Sequence, residues 1–148
     1  MKSKKLTKDS KTTIRKSSLK SFEIFPNILG DLKKGSKLTY EDIENLEKLF
    51  GERVKKALEI IGEKRIMKYH FQPSGIVRWV VKGDEKNYLV IEQTFCSCKD
   101  FLFTAILKRE VPSCYHLLAR EVAEKIEQYQ EVVVSDNEYP MLMDEWLS

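Results

Sequence analysis

Thr94-Phe95-Cys96-Ser97-Cys98-Lys99-Asp100 and, further on, Val111-Pro112-Ser113-Cys114-Tyr115-His116 decide how this chain is read. The protein has 148 residues with three cysteines and two histidines. Every cysteine and one histidine fall in these two stretches. Cys96 and Cys98 are one residue apart, as are Cys114 and His116, and fifteen residues lie between the pairs. Three thiolates and one imidazole complete a tetrahedral set for Zn²⁺ and leave no position for water. Such a closed set is structural, whereas a hydrolytic zinc site needs an open position.

The flanking sequence suits one shared ion. Cys96 and Cys98 end a stretch of strand alternation, and extended residues at i and i+2 point the same way. Cys114 and His116 follow Pro112-Ser113, a helix start. Two residues apart within a helix they would diverge by about 200°. Cys114 is therefore expected before the helix or at its first position, with His116 one turn in. A thiolate near a helix N-terminus is electrostatically favoured. Three other readings compete: a redox-active C-x-C pair, a disulfide with a spare thiol, and cysteines that act as small buried hydrophobes. The odd cysteine count argues against a disulfide framework. His70 reads as an ordinary strand residue, opposite in face to Tyr69 and Phe71.

Working outward, periodicity divides the chain into elements. Phe22, Ile24, Phe25, Ile28 and Leu32, broken by Pro26 and Gly30, make a docking segment or short helix. Thr39 with Asp42 resembles a capping box. Ile43, Leu46, Phe50, Val54, Ala57 and Ile61 then predict one amphipathic helix over about 40–62, ending at Gly62 and kinked at Gly51. Three strands follow, at 64–72, 76–82 and 87–95, joined by turns at Pro73-Ser74-Gly75 and Gly83-Asp84-Glu85. Met67, Tyr69 and Phe71 share one face of the first; Val77, Trp79 and Val81 alternate in the second; Leu89, Ile91 and Phe95 alternate in the third. Phe101, Leu102, Ala105 and Ile106 form one helical stripe, and Leu117, Leu118, Val122 and Ile126 another. Val132-Val133-Val134 is a short extended run. The last segment, 131–148, holds five acids and no base. Its apolar set, Tyr139, Met141, Leu142, Met143 and Trp146, reads either as an exposed interface with Trp146 as its anchor or as residues folded back onto the core.

Charge is uneven. Residues 1–20 hold eight bases against Asp9 alone, a net +7, while the whole chain is +3, so residues 21–148 carry −4. The tail is too polar to offset the entropy of ordering it. It is expected to be disordered, serving as a solubilising leader or as an electrostatic arm for nucleic acid. No apolar run approaches the roughly 20 residues of a membrane span. Dinucleotide, Walker, zinc-protease and nucleophile-elbow motifs are absent.

C-x-C followed by C-x-H resembles the SWIM zinc finger. Ala119, three residues beyond His116, extends the pattern to C-x-H-x-x-A. That form resembles the SWIM subunit of Shu-type recombination mediator complexes, over about residues 64–125. The resemblance implies a structural Zn²⁺, one per chain, held by Cys96, Cys98, Cys114 and His116. It also implies a non-enzymatic adaptor in homologous recombination and DNA repair. Such an adaptor binds a recombinase or recombinase paralog and assists recombinase loading on single-stranded DNA, which the basic tail could contact. A direct DNA-binding finger and a thiol oxidoreductase using the C-x-C pair are the alternatives. No membrane or small-molecule partner is expected, and the compartment is intracellular: cytoplasm or nucleoid, or nucleus in a eukaryote. The fold class is α+β: an N-terminal helix, a three-stranded antiparallel sheet, a metal-stapled strand-turn-helix unit and a C-terminal helix. The domain spans 21–130, with the tail (1–20) and an acidic segment (131–148) on either side.

Overall fold

The computed structural model describes residues 21–109 and 113–148. The basic tail, the side chains of Phe22 and Ile24, and Pro112 lie outside the described residues.

Helix α1 (Ser21–Gly30) carries Phe25 into the core, where its ring stacks on Phe50 at 5.7 Å. The Thr39 capping box is present: Thr39 Oγ1 accepts from the Asp42 amide, and Asp42 accepts from the Thr39 amide. It opens α2 (Tyr40–Phe50). The helix expected over 40–62 is in fact two. Gly51 adopts φ +59°, ψ −135°, and the chain restarts as α3 (Arg53–Gly62). Glycine reaches this left-handed region without a Cβ clash, so the break costs little at this residue.

Strands β1 (Ile66–Gln72), β2 (Val77–Lys82) and β3 (Asn87–Ile91) form the expected antiparallel meander. Two further strands widen it to five. The expected third strand does not run on to Phe95. It stops at Ile91, turns through Gln93 at φ +59°, and returns as β4 (Phe95–Cys96). As a result Ile91 is exposed, and Phe95 packs with the main core. The Val132 run is β5 (Gln130–Ser135), which pairs parallel to β1. The strand order is β4-β3-β2-β1-β5.

Alternation along the strands divides the apolar residues between two layers. Ile66, Trp79, Val81 and Val90 face the side on which α1, α2 and α3 pack and form the main core. Phe71, Val80 and Leu89, with Met67 and Tyr69 beside them, face the other way. The segment from Phe101 to Leu107 is wound as a π-helix and turns only Phe101 fully inward. The expected stripe there fails, because Leu102 and Ile106 point to solvent. Helix α4 (Tyr115–Lys125) is buried almost all round, with Leu117, Leu118 and Val122 in the core. No helix among the described residues is long and apolar enough to cross a membrane.

Helix α5 (Tyr139–Leu147) covers the second sheet face. Trp146 is fully buried, edge-on to Tyr69 at 4.8 Å and near Phe71 at 6.4 Å. An exposed interface anchored on Trp146 is thereby ruled out: the indole closes the second layer. Trp146→Ala should cost about 3–5 kcal/mol of stability. Thermal unfolding checks this, and an unchanged midpoint would contradict the packing.

Candidate metal centre

Cys96, Cys98, Cys114 and His116 meet in one buried cluster. Their ligand atoms all lie within 4.8 Å of one another. At a Zn–S bond of about 2.3 Å, a tetrahedron has edges of about 3.8 Å, so the cluster is already near ligand spacing. Cys96 pairs with Val90 at the edge of the sheet. Cys98, two residues on, points the same way, as extended geometry requires. Ser97 points oppositely: its amide donates to the Leu89 carbonyl, and its hydroxyl donates to the Trp146 carbonyl at 3.0 Å. The spacer residue thus latches the knuckle to α5.

Cys114 is the N-cap of α4 in extended conformation, and its Sγ accepts from the Leu117 amide at 3.4 Å. His116 sits at the second helical position, earlier than the full turn expected. Cys98 Sγ likewise accepts from the Phe101 amide at 3.3 Å. Backbone N–H groups aimed at sulfur favour the thiolate. Tyr88 and Tyr115 flank the His116 ring at 4.4 and 4.3 Å, fixing its plane.

Two observations test whether the residues suit a metal, and both agree. His116 Nδ1 is buried with no hydrogen-bond partner, a cost that a metal ion or its neighbouring ligands would remove. The thiols are also mutually incompatible as anions. Burial, and then hydrogen bonds with Cys96 and Cys98, push Cys114 well above the ordinary thiol range. Hydrogen bonds with Cys114 and Cys96 hold Cys98 far below it. The bond with Cys114 favours the Cys96 thiolate, but the bond with Cys98 and burial prevail and raise it. A divalent cation among these sulfurs would deprotonate the coordinating thiols outright. The donor set is one that Zn²⁺ takes.

Known proteins place the chain further. It is 30% identical over 129 residues to the zinc finger SWIM domain-containing protein 7 homolog of Dictyostelium discoideum, covering 86% of this chain and 82% of that protein. The chain belongs to the zinc finger SWIM domain-containing protein 7 family. The human member is 24% identical over 78% of this chain and 84% of its own length. An uncharacterized protein of Archaeoglobus fulgidus is 33% identical over 70% of this chain and 82% of its own length. No family model matches the chain.

In this SWIM finger, two charged devices that the motif does not reveal align the ligand pairs. Arg120 is buried on α4 and bonds Glu121 at 2.8 Å and Glu124 at 2.6 Å. Its guanidinium lies 4.2 Å from the Trp79 ring centre, and Glu92 reaches it at 3.3 Å. Glu121 in turn accepts from the Gln93 amide at 2.7 Å. Burial raises the Glu121 carboxyl despite Arg120 beside it. This network ties the β3–β4 turn, which delivers Cys96 and Cys98, to the helix that delivers Cys114 and His116. The second device joins α3 to the residues after Cys98. Arg53 holds Asp100 through two bonds, at 2.9 and 3.1 Å. A hint of both lay in charged residues beside predicted core positions, but sequence alone does not pair them. His70 bonds Glu131 at 2.8 Å and is not among the clustered ligands.

The purified protein should carry one zinc per chain. Zinc binding in such sites is worth about 10–16 kcal/mol and is linked to folding. Cys98→Ser or His116→Ala should lose the metal together with much of the cooperative unfolding transition. Native mass spectrometry with thermal denaturation checks this, and a fully folded metal-free chain would contradict it.

Proposed function

We propose that this protein is a non-enzymatic zinc-binding adaptor of homologous recombination that binds a recombinase or recombinase paralog. The observation that carries the reading is an apolar face beside the metal centre. Leu102, Phe103, Ile106 and Leu107 are 46–63% exposed within one short π-helical segment. Contiguous exposed apolar patches of this kind mark interaction sites. The segment is anchored by buried Phe101, whose amide donates to Cys98 Sγ, and by Asp100 held to Arg53. Metal binding therefore sets the geometry of the face. Burial of Cys96 and Cys98, at 1% and 6% exposure, leaves a substrate disulfide little approach and supports a non-enzymatic role.

Binding to recombinase-type proteins of the source genome tests this. Replacing Phe103 and Leu107 together by Ser should weaken the complex at least tenfold, since apolar anchors at interface centres carry about 2 kcal/mol or more. Zinc content and melting temperature should stay near wild type. Full binding by the double variant, or no binding by the wild-type chain, counts against the adaptor reading.

In this reading the basic tail contacts single-stranded DNA. Residues 21–148 are net negative and should bind poorly alone. Deleting residues 1–20 should reduce affinity and flatten its salt dependence by several units of slope, at roughly 0.7 per phosphate neutralised. Unchanged affinity and slope would leave the tail as a solubilising leader.

A further inference from the structure

The two edges of the sheet differ. On one side β4 is only two residues long and leads directly into the metal knuckle. On the other side β5 runs six residues, paired to β1 throughout, and no strand among the described residues pairs with its outer side. An open edge presents unpaired N–H and C=O groups, which proteins usually guard with Lys, Pro, a bulge or a covering element. The β5 sequence, Gln-Glu-Val-Val-Val-Ser, holds no Lys and no Pro. Its single charge, Glu131, is engaged with His70 of the neighbouring strand. Val133 at its centre is 70% exposed.

We propose that β5 pairs antiparallel with β5 of a second copy of this chain, about a two-fold axis through Val133. The strand is self-complementary in that register. Val133 faces Val133, Glu131 falls opposite the partner's Ser135, and Val132 falls opposite Val134. No carboxylate on the strand then meets another directly across, an arrangement that would be unfavourable. Residues 131, 133 and 135 share a face, as do 132 and 134, so each pair meets on its own side of the sheet. The joint would cover the exposed valine and merge two five-stranded sheets into one of ten strands. The two metal centres would lie at its far ends. Six residues of edge bury less than a standard interface, so a dissociation constant on the order of 10 μM is expected. This inference is independent of the adaptor reading.

Sedimentation equilibrium of the zinc-loaded full chain, from about 1 to 200 μM, tests it. The wild type should be a reversible dimer. Val133→Lys sets two ammonium groups face to face and should stay monomeric, with unchanged zinc content and melting temperature. A second pair of variants reads the register. Ser135→Lys faces the partner's Glu131 and should dimerise more tightly than Ser135→Glu, by about threefold to tenfold over the two symmetric contacts. Both lose the same hydroxyl bond to the Asn137 amide, so their difference reports the joint. A monomeric wild type overturns the proposal, as does a dimer indifferent to Val133→Lys, and equal behaviour of the Ser135 variants overturns the register. A monomer whose binding to a recombinase-type protein is abolished by Val133→Lys would assign the edge to a partner strand and likewise overturn the dimer.

Discussion

Three thiols and an imidazole share one buried pocket, with their ligand atoms all within 4.8 Å of one another. Their mutual hydrogen bonds hold Cys98 below the ordinary thiol range, while burial and the hydrogen bonds among them push Cys96 and Cys114 above it. A cation bound among the four donors would stabilise the thiolates together. The rest of the molecule is organised to bring the two donor pairs together. Sheet and helix contribute one pair each, and each pair is unable to hold a metal tightly by itself. Their union joins the edge of the meander to the N-terminus of the most deeply buried helix.

The Arg120 network shows how much charge the fold commits to that union. Burying an arginine with glutamates is expensive unless geometry and extra hydrogen bonds compensate. Here the guanidinium also lies over Trp79, and the Glu121 carboxylate caps a turn that a non-glycine residue, Gln93, holds at positive φ. Strain in the turn and desolvation of the ion pair are accepted at the one place where ligand-bearing elements meet. The π-helical segment beyond Cys98 is a further local irregularity. Its wider turns face Phe101 inward and leave its other large apolar residues outside.

The donor set was legible in the sequence because Cys96, Cys98, Cys114 and His116 stand in two tight local pairs. The strand meander and the stripe of Leu117, Leu118 and Val122 were legible through their periods of two and near four. Long-range choices were not. Pairing of Val132 to Val134 alongside β1 depends on a crossover of more than fifty residues, which no local pattern encodes. Trp146 lies in an acidic stretch, and its neighbours Asp144 and Glu145 are exposed, so composition suggested exposure where the structure has a core. Gly51 marked a kink in the apolar spacing at 40–62, but the full break into two helices depends on backbone freedom that spacing does not record. The pairing of Arg120 with Glu121 was hidden because adjacent opposite charges on a helix ordinarily face solvent.

The bond from Ser97 to the Trp146 carbonyl spans 49 residues of sequence. It orders the events of synthesis. The C-x-C pair leaves the ribosome first, as a two-sulfur fragment open to oxidants and to thiophilic ions such as copper. Cys114 and His116 emerge next and can close the coordination shell. The latch that braces the knuckle from behind arrives only when α5 has been made. Until then the nascent chain carries a centre whose ligands are present and whose support is missing. The bracing of the knuckle is therefore complete only once the last helix has been made and packed.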